Sequence, residues 1–282
     1  MHHADLHLHT TASDGAWSAQ EVLRVAAARG VSLLAITDHD ETRSTAEARH
    51  WAQHLGITYV AGIEISTVWR GVDLHLVGLN IDTEHVAITS VVSDAKRMRE
   101  ARGRAMGDAL EREGINDVYA SALKYSESPE NLSRTHFARV LVERGICSHT
   151  GEVFTRFMKP GKPGYVPTEW ISLERAISAI RASGGDAVLA HPARYDLQWV
   201  GGMPGLLADF CELGGSGIEV FCAAHTPAEW SVYAAYCRRF GLRASLGSDF
   251  HSPKESRLAI GDLPRLPGSL TPIWADWDIA HA

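Results

Sequence analysis

The stretch that decides the fold is DLHLHTTASDG, residues 5–15. Its leucines alternate with polar residues, and this period of two predicts a short β-strand. Alternate residues of a strand project to the same face, so His7 and His9 could bind one metal ion, with Asp14 on the loop that follows. An isolated His-x-His also arises by chance or within a histidine tag, and His2 and His3 lie nearby. The other strands of the chain must decide between these alternatives.

Composition and charge exclude several classes of protein. Of the 282 residues, 45% are hydrophobic and 22% are charged, which predicts one large α/β domain, or such a domain with an insertion. The formal net charge of −7 argues against a surface built broadly for nucleic acid. An anionic substrate would therefore need a local positive site, which metal ions can supply.

The expected compartment is the cytoplasm. The sequence has no charged and apolar leader and no apolar stretch long enough to cross a membrane, so we expect neither secretion nor membrane insertion. The cysteines show no C-x-x-C spacing and are expected to be reduced thiols. They are Cys147, Cys211, Cys222 and Cys237.

Seven β-strands are predicted, and their polar residues follow a common pattern. Six of the seven carry a His, Asp or Glu within the strand or just past its carboxyl end, where (β/α) barrels place their catalytic residues. The predicted strands are residues 4–9, 31–37, 57–65, 72–79, 186–190, 217–221 and 243–247. The candidate metal ligands are His7, His9, Asp14, His39, Glu64, His75, His191, Asp249 and His251.

Each candidate ligand has a structural alternative. Asp40 could cap the next helix while His39 faces the site, and a lone His75 would more often be a structural residue. Glu64 lies between two isoleucines, where a buried carboxylate must be paired or bound to metal. Nine ligands suit two or three ions, and imidazole with carboxylate but no thiolate fits Mn²⁺, Fe²⁺ or Zn²⁺. Such a cluster indicates hydrolysis. A serine-nucleophile alternative lacks a nucleophile elbow.

The β/α pattern is interrupted after residue 82. Residues 85–113 form a long helical pattern, and its basic stretch from Lys96 to Arg104 is interpreted by default as a solvated face. Shorter helical segments continue to about residue 157. A Pro/Gly-rich hinge at 157–165 precedes the return of the strands. We therefore predict a barrel of residues 1–82 and 166–282 with an all-helical insertion of residues 83–165. Both ends of the insertion are expected at the metal-bearing rim, so that it could cap the site.

Six motifs together resemble the PHP (polymerase and histidinol phosphatase) family of the amidohydrolase-like superfamily. They are DLHLHTTASDG (5–15), ITDHD (36–40), GIEIS (62–66), HLVGLNI (75–81), LAHP (189–192) and GSDFH (247–251). The resemblance implies an α/β fold, a distorted seven-stranded (β/α) barrel with a trinuclear metal centre. It implies that one ion is held by His7, His9, Glu64 and Asp249. A second ion would be held by Glu64, His75 and His191, and a third by Asp14, His39 and His251.

The insertion and the segment SRTHF (133–137) are most similar to the bacterial YciV/TrpH-like subgroup of that family. The subgroup comprises 3′,5′-nucleotide bisphosphate phosphatases that are also 5′-to-3′ exoribonucleases on short 5′-phosphorylated RNA. The resemblance implies such a substrate, a nucleoside 5′-monophosphate product and a metal-bound hydroxide as nucleophile. The alternatives are a histidinol-phosphate-type phosphatase and a non-catalytic metal-binding accessory module. Thr135 departs from the subgroup, which often has glycine there.

Candidate catalytic and substrate-binding residues complete these predictions. Catalysis is assigned to Asp249, His191 and Arg194, and the structural alternative for Arg194 is a surface pair with Asp196. A second phosphate needs its own cations, and the N-terminus of a helix that begins at Arg134 favours an anion, although Arg134 could instead be a solvated residue. We expect two to three divalent ions, Mn²⁺ before Fe²⁺ or Zn²⁺, and no obligate protein partner. The substrate-binding candidates are Arg134, Thr135, His136, Lys159, Lys162 and Arg194.

Overall fold

A barrel-shaped sheet lies at the centre of the computed structural model, which describes residues 2–126 and 128–279. Its strands are β1 (Ala4–Asp5), β2 (Leu33–Ile36), β3 (Thr58–Trp69), β4 (Val72–Leu79), β5 (Ile171–Ser172), β6 (Asp186–Leu189), β7 (Gly217–Cys222) and β8 (Arg243–Gly247). Seven of them follow one another in the order β1-β2-β3-β4-β6-β7-β8, and β5 pairs with β3 outside this path. A hydrogen bond from Leu6 N to Leu246 O and a bridge between Leu8 and Phe250 bring β8 beside the first strand. The predicted seven-stranded barrel is confirmed.

The strands β3 and β4 form a hairpin, which distorts the barrel. Arg70 and Gly71 join them with φ values of 47° and 80°, and two positive φ values in a two-residue turn match the twist of the flanking strands. β3 consequently runs four residues past its predicted end, to Trp69, and its residues 62–69 pair with the whole of β4. β4 is antiparallel to both of its neighbours, whereas all other pairs are parallel.

The direction of β4 corrects one expectation about the insertion. Because β4 runs opposite to the other strands, the chain leaves it at the end of the barrel where the parallel strands begin. Ile81 N donates there to Ala61 O, and Asp82 N donates to Ser183 O. The insertion therefore starts far from the metal-bearing rim, and only its later residues return to it.

Nine α-helices surround the sheet in the described part of the chain. They are α1 (Ala19–Ala28), α2 (Thr45–Leu55), α3 (Val86–Arg112), α4 (Val118–Ala122), α5 (Arg134–Glu143), α6 (Thr150–Val153), α7 (Leu173–Ala182), α8 (Gly202–Glu212) and α9 (Pro227–Phe240). A capping box begins α1, with Ser18 as N-cap and Glu21 at the third position. Helix α8 was not predicted. None of the described helices combines the length and apolar character needed to cross a membrane.

The long helix α3 joins the barrel to the helical segment. With 27 residues it spans about 40 Å. Its first half packs on the barrel through Ile88 and Val91, whereas Met106 and Leu110 in its second half belong to a separate apolar cluster with α4, α5 and α6. In the middle, Arg99 donates to Asp40 Oδ2 and Ser66 Oγ at the rim. The helix thus carries the chain from the far end of the barrel up to the predicted site.

Candidate metal centre

All nine predicted ligands lie together at the carboxyl ends of the parallel strands, around Glu64. This residue is fully buried on β3. Its Oε1 lies 2.9 Å from His75 Nδ1 and 2.9 Å from His191 Nε2. Its Oε2 faces three further imidazole nitrogens, His39 Nδ1 at 2.8 Å, His7 Nε2 at 3.3 Å and His9 Nε2 at 3.4 Å. Each oxygen of the carboxylate therefore faces a different set of donors, as a bridge between two ions requires.

Three groups of these side chains have the spacing that a metal ion needs. Within each group the ligand atoms lie within 4.8 Å of one another, and the groups are His7, His9 and Asp249; His9, Asp14, His39 and His251; and His39, Glu64 and His75. His191 lies against Oε1 of Glu64, beside the last group. His9 and His39 each belong to two groups, because their rings lie centrally with centroids 4.5 Å apart. The sets implied by the family resemblance did not include this sharing.

Several of the candidate ligand atoms are available to bind cations, because no hydrogen bond from the described residues satisfies them. Burying one such atom unpaired costs about 1–3 kcal/mol, so a purely structural cluster of this kind would be unfavourable. All donors are nitrogen or oxygen, a set that suits divalent transition metals. The buried atoms without a hydrogen-bond partner among the described residues include His7 Nε2, His9 Nδ1 and Nε2, Asp14 Oδ1, His39 Nδ1 and Glu64 Oε2.

The charges of the cluster are strongly coupled. Burial opposes ionisation of Glu64, but the imidazoles of His39 and His75 hold the pKa of its carboxyl well below the usual range. Burial, together with the charges of His251 and His39, lowers the pKa of His9 to about 3. His9 is therefore a neutral imidazole at physiological pH, and a neutral ring keeps a lone pair for a cation.

Unusual backbone geometry brings the ligands together. His191 and Asp249 have positive φ values of 27° and 51°, conformations that cost roughly 1–3 kcal/mol in residues other than glycine and cluster at functional sites. Gly247 lies against the first ligand strand, where an added Cβ would stand 2.1 Å from His7 Cβ. Only a glycine at this position lets β8 approach His7 so closely.

Comparison with known proteins identifies the family. The model of the PHP domain matches residues 5–148. The chain belongs to the PHP family. A 3′,5′-nucleoside bisphosphate phosphatase of Chromobacterium violaceum is 42% identical over 276 residues, covering 98% of this chain and 96% of that protein. A 5′-3′ exoribonuclease of Haemophilus influenzae is 39% identical over 272 residues, covering 96% and 97%.

A solved structure agrees with this assignment. It is that of a Chromobacterium violaceum amidohydrolase with bound sulfate and no metal, which has a TM-score of 0.92, 42% identity, and coverage of 96% of this chain and 94% of that one. As a member of the PHP family with these relatives, the chain is a hydrolase of phosphoric esters, as its sequence predicts.

Behind the predicted ligands of this PHP protein lie partners that the sequence analysis missed. Glu219 on β7 contacts His7 and His191. The hydroxyl of Tyr195 lies 3.2 Å from His191 Nδ1 and donates to Ala190 O. Glu219 could have been found by the argument used for Glu64, since it too is a carboxylate flanked by apolar residues in a strand. Nothing local to Tyr195 signals its role.

Arg194 lies at the metal centre and does not pair with Asp196. Its Nη2 is 2.5 Å from Asp249 Oδ2, while about half of its side chain remains exposed. The other oxygen of Asp249 faces His7, His9 and His251. One carboxylate thus connects the exposed arginine with the buried imidazoles.

A cluster of three arginines stands beside the metal centre, and we call Arg99, Arg102 and Arg134 the arginine cluster. Arg99 and Arg102 lie over the ring of Trp170, at 5.4 and 5.3 Å from its centroid. Arg102 is 8% exposed, and its Nε and Nη2 have no hydrogen-bond partner among the described residues. Burial and the neighbouring charges of Arg134 and Arg99 lower the pKa of Arg102 to about 9. Mutual repulsion of the three guanidinium groups and the unsatisfied N–H donors of Arg102 both favour binding of an anion.

The remaining substrate-binding candidates are distributed differently. His136 is fully buried and accepts a hydrogen bond from Ser133 N, and burial lowers its pKa to about 4, so it carries no positive charge at neutral pH. Thr135 N donates to the N-cap hydroxyl of Ser133. Lys159 and Lys162 lie exposed on the hinge. Of the predicted set, only Arg134 belongs to the arginine cluster.

Proposed function

We propose that this PHP protein hydrolyses the 3′-phosphate of nucleoside 3′,5′-bisphosphates to give nucleoside 5′-monophosphates. We propose further that it removes the 5′-terminal nucleotide of short 5′-phosphorylated RNA. In both reactions the phosphorus on a 3′-oxygen is attacked while a 5′-phosphate is held elsewhere. The names of the two relatives correspond to these two activities.

The position of the arginine cluster supports this proposal most directly. Ser66 follows Glu64 by two residues on the same face of β3, a distance of about 7 Å, and its hydroxyl accepts a hydrogen bond from Arg99. The cluster is therefore one step along the strand from the carboxylate at the centre of the ligands. A single ribose that carries two phosphates spans a gap of this order. One phosphate at the metal ligands would bring the other to Arg102 and Arg134.

The same cluster argues against the histidinol-phosphate alternative. Histidinol phosphate has one phosphate and a positively charged amino group, which the guanidinium groups of the arginine cluster would repel. A dianionic phosphate instead supplies the acceptors that Arg102 lacks.

We assign two or three divalent ions to the ligand groups, with Mn²⁺ as the native metal. When bound, such ions would supply positive charge to the phosphate oxygens and lower the pKa of a water. Two of the candidate ligands, His191 and Asp249, are directed to the site by their strained backbone conformations. The exposed N–H groups of Arg194 face the reacting phosphate and stabilise its developing charge, while Nη2 orients Asp249.

The helical segment covers the rim and excludes water. Helix α5 is fastened to the ligand loop because Ser133 Oγ donates to Asp14 Oδ2, at 2.8 Å, and Arg139 donates to Asp14 O. Residues 83–165 thus act as a cap over a barrel of residues 1–82 and 166–282. We propose that the reaction takes place in the cytoplasm. The four cysteines in the described part of the chain are free, which supports a reducing compartment.

Two substrates that differ only in the 5′-phosphate test the proposal. With Mn²⁺, adenosine 3′,5′-bisphosphate and adenosine 3′-monophosphate are compared on the wild type, Arg134→Ala and Arg102→Ala. Hydrogen bonds to charged groups contribute about 1.5–3 kcal/mol, so each variant should lose roughly 10- to 150-fold in kcat/KM on the bisphosphate. The monophosphate, which lacks the anchored group, should be hydrolysed almost as before.

Arg97→Ala is the matched control, because Arg97 lies on the same helix as Arg102 but is exposed and pairs with Asp94. It should leave both substrates unaffected. Equal losses on the two substrates in Arg134→Ala and Arg102→Ala would show that the cluster does not bind the 5′-phosphate. Absence of bisphosphate hydrolysis by the wild type with Mn²⁺, Fe²⁺ or Zn²⁺ would contradict the proposed reaction itself.

A further inference from the structure

Glu219 is a buried carboxylate that touches ligands from two different parts of the metal centre. It lies on β7 and is 1% exposed. Its Oε1 is 2.7 Å from His7 Nδ1, and its Oε2 accepts the backbone N–H of His191 at 2.5 Å. None of the three groups with metal-ligand spacing contains Glu219. Each of its two oxygens accepts one of these hydrogen bonds.

We propose that Glu219 is a positioning residue that fixes the tautomer of His7 and the backbone of His191 together. A neutral imidazole has one N–H and one lone pair. Because the carboxylate only accepts, His7 must carry a proton on Nδ1, and in the neutral form that can bind a cation this is its only ring proton. The lone pair is then on Nε2, which lies 3.3 Å from Glu64 Oε2 and has no hydrogen-bond partner among the described residues. Glu219 thereby turns the correct nitrogen of His7 toward a cation.

The contact with His191 acts on the main chain. His191 has φ of 27° and ψ of 58°, an unfavourable conformation that must be held by its surroundings. The hydrogen bond from its N–H to Glu219 supports that conformation, which directs Nε2 to Glu64 Oε1 at 2.9 Å. The ring itself is oriented separately, by Tyr195. One carboxylate therefore positions ligands on both sides of Glu64, and so couples two ion sites.

This inference rests on the metal centre of the proposed function, but it is independent of the substrate. Glutamine at position 219 has nearly the same size and only one accepting oxygen. If that oxygen faces His191 N, the amide group donates to His7 Nδ1 and moves the ring proton to Nε2. If it faces His7, the amide N–H opposes the N–H of His191. The first orientation reverses the tautomer of His7, and the second loses the contact with His191.

Binding of Mn²⁺ measures the consequence directly. Wild type, Glu219→Gln and Glu219→Asp are dialysed against defined concentrations of free Mn²⁺, and the bound metal is counted by elemental analysis. Changes behind metal ligands typically reduce affinity 10- to 100-fold, so Glu219→Gln should bind at least one ion that much more weakly. Glu219→Asp keeps two accepting oxygens and should bind more tightly than Glu219→Gln, although it is a poorer fit in size.

Two controls separate positioning from packing. Asp186 is a carboxylate in the same sheet, but it accepts a hydrogen bond from Trp277 Nε1 and contacts none of the candidate ligands named above. Asp186→Asn should therefore leave Mn²⁺ binding unchanged. In a His7→Asn background, adding Glu219→Gln should lower the affinity of the His7 site no further. Thermal unfolding in EDTA reports the fold of each variant. Unchanged affinity in Glu219→Gln, or tighter binding by Glu219→Gln than by Glu219→Asp, would overturn the inference.

Because no substrate is present in these measurements, they remain decisive if the proposed phosphatase reaction proves wrong. Conversely, normal Mn²⁺ binding by Glu219→Gln would leave the proposed reaction intact.

Discussion

Glu64 lies at the centre of the candidate metal ligands. Its two oxygens face five imidazoles, and its pKa is held well below the usual range, against burial, by the charges of His39 and His75. An ionised carboxylate at the bottom of a buried site is unfavourable without cations. The ionised carboxylate of Glu64 is therefore stable in this position when positive charge lies next to each of its two oxygens.

Replacing Glu64 tests the bridging role. Glu64→Gln keeps the size of the side chain but loses one accepting oxygen and the negative charge. We expect hydrolysis of phosphoric esters to be abolished and the bound Mn²⁺ to fall by at least one ion, while the fold is kept. Elemental analysis and thermal unfolding in EDTA measure these effects. Retention of the full metal content by the variant would exclude the bridge.

Arg194 is the exposed cation of the metal centre. If it touches the reacting phosphate, Arg194→Ala should cost about 2–4 kcal/mol of transition-state stabilisation, or roughly 30- to 1000-fold in kcat/KM. Arg70→Ala is a matched control, because Arg70 is also half exposed and pairs with a carboxylate, Asp209. A loss below tenfold for Arg194→Ala would indicate a surface residue that only pairs with Asp249.

At the scale of secondary structure, helix α5 connects the insertion with the ligands. Its N-cap, Ser133, accepts from Thr135 N and donates to Asp14 Oδ2. The ring of His136 accepts from Ser133 N, which completes a capping box with histidine in the place usually taken by Glu or Gln. Burial keeps this ring neutral, so the start of the helix is sensitive to acid.

The pH dependence of stability tests this cap. The pKa of His136 is lowered from 6.5 to about 4 by burial, so the neutral ring stabilises the fold above pH 6.5, and that stability is lost as the pH falls toward 4. The full loss is roughly 3 kcal/mol. His136→Gln keeps the accepting atom without a titrating group. Denaturant unfolding in EDTA should show a smaller loss for the variant between pH 7 and pH 5, and equal losses would refute this assignment.

At the scale of the whole molecule, the ligands connect segments that are distant along the chain. They lie on, or just past, six strands between His7 and His251. The metal ions should therefore stabilise the folded barrel as a unit. A bound ligand contributes about 2.7 kcal/mol for each site when its free concentration is 100 times Kd.

Removal of the metal tests this connection. EDTA should lower the midpoint of thermal unfolding of the wild type by several degrees relative to Mn²⁺, because ΔΔG of 1 kcal/mol shifts Tm by about 2–4 °C in chains of this size class. Glu64→Gln should show a clearly smaller difference between the two conditions. Identical midpoints with Mn²⁺ and EDTA in the wild type would mean that the ligands bind no metal under these conditions.

Local signals in the sequence predicted many of the secondary-structure elements and identified the candidate ligands that the fold brings together. The bounds of β4 and β8 and the first residue of α5 were predicted to the residue, because periodicity and capping depend on neighbouring residues. The nine polar residues at strand ends were recognised by the same pattern. Their assembly follows from a barrel, which brings the carboxyl ends of parallel strands to one rim.

Only the tertiary structure decided how the candidate ligands are grouped and which other residues hold them in place. No periodic pattern in the sequence marks the central places of His9 and His39 or the contacts of Glu219. The same holds for Arg102, whose Nε and Nη2 lack hydrogen-bond partners in the described part of the chain. Each depends on atoms from distant segments: Glu219 and His7 are 212 positions apart. Partner choice at such separations is set by packing and by the burial of charge, which neighbouring residues do not encode.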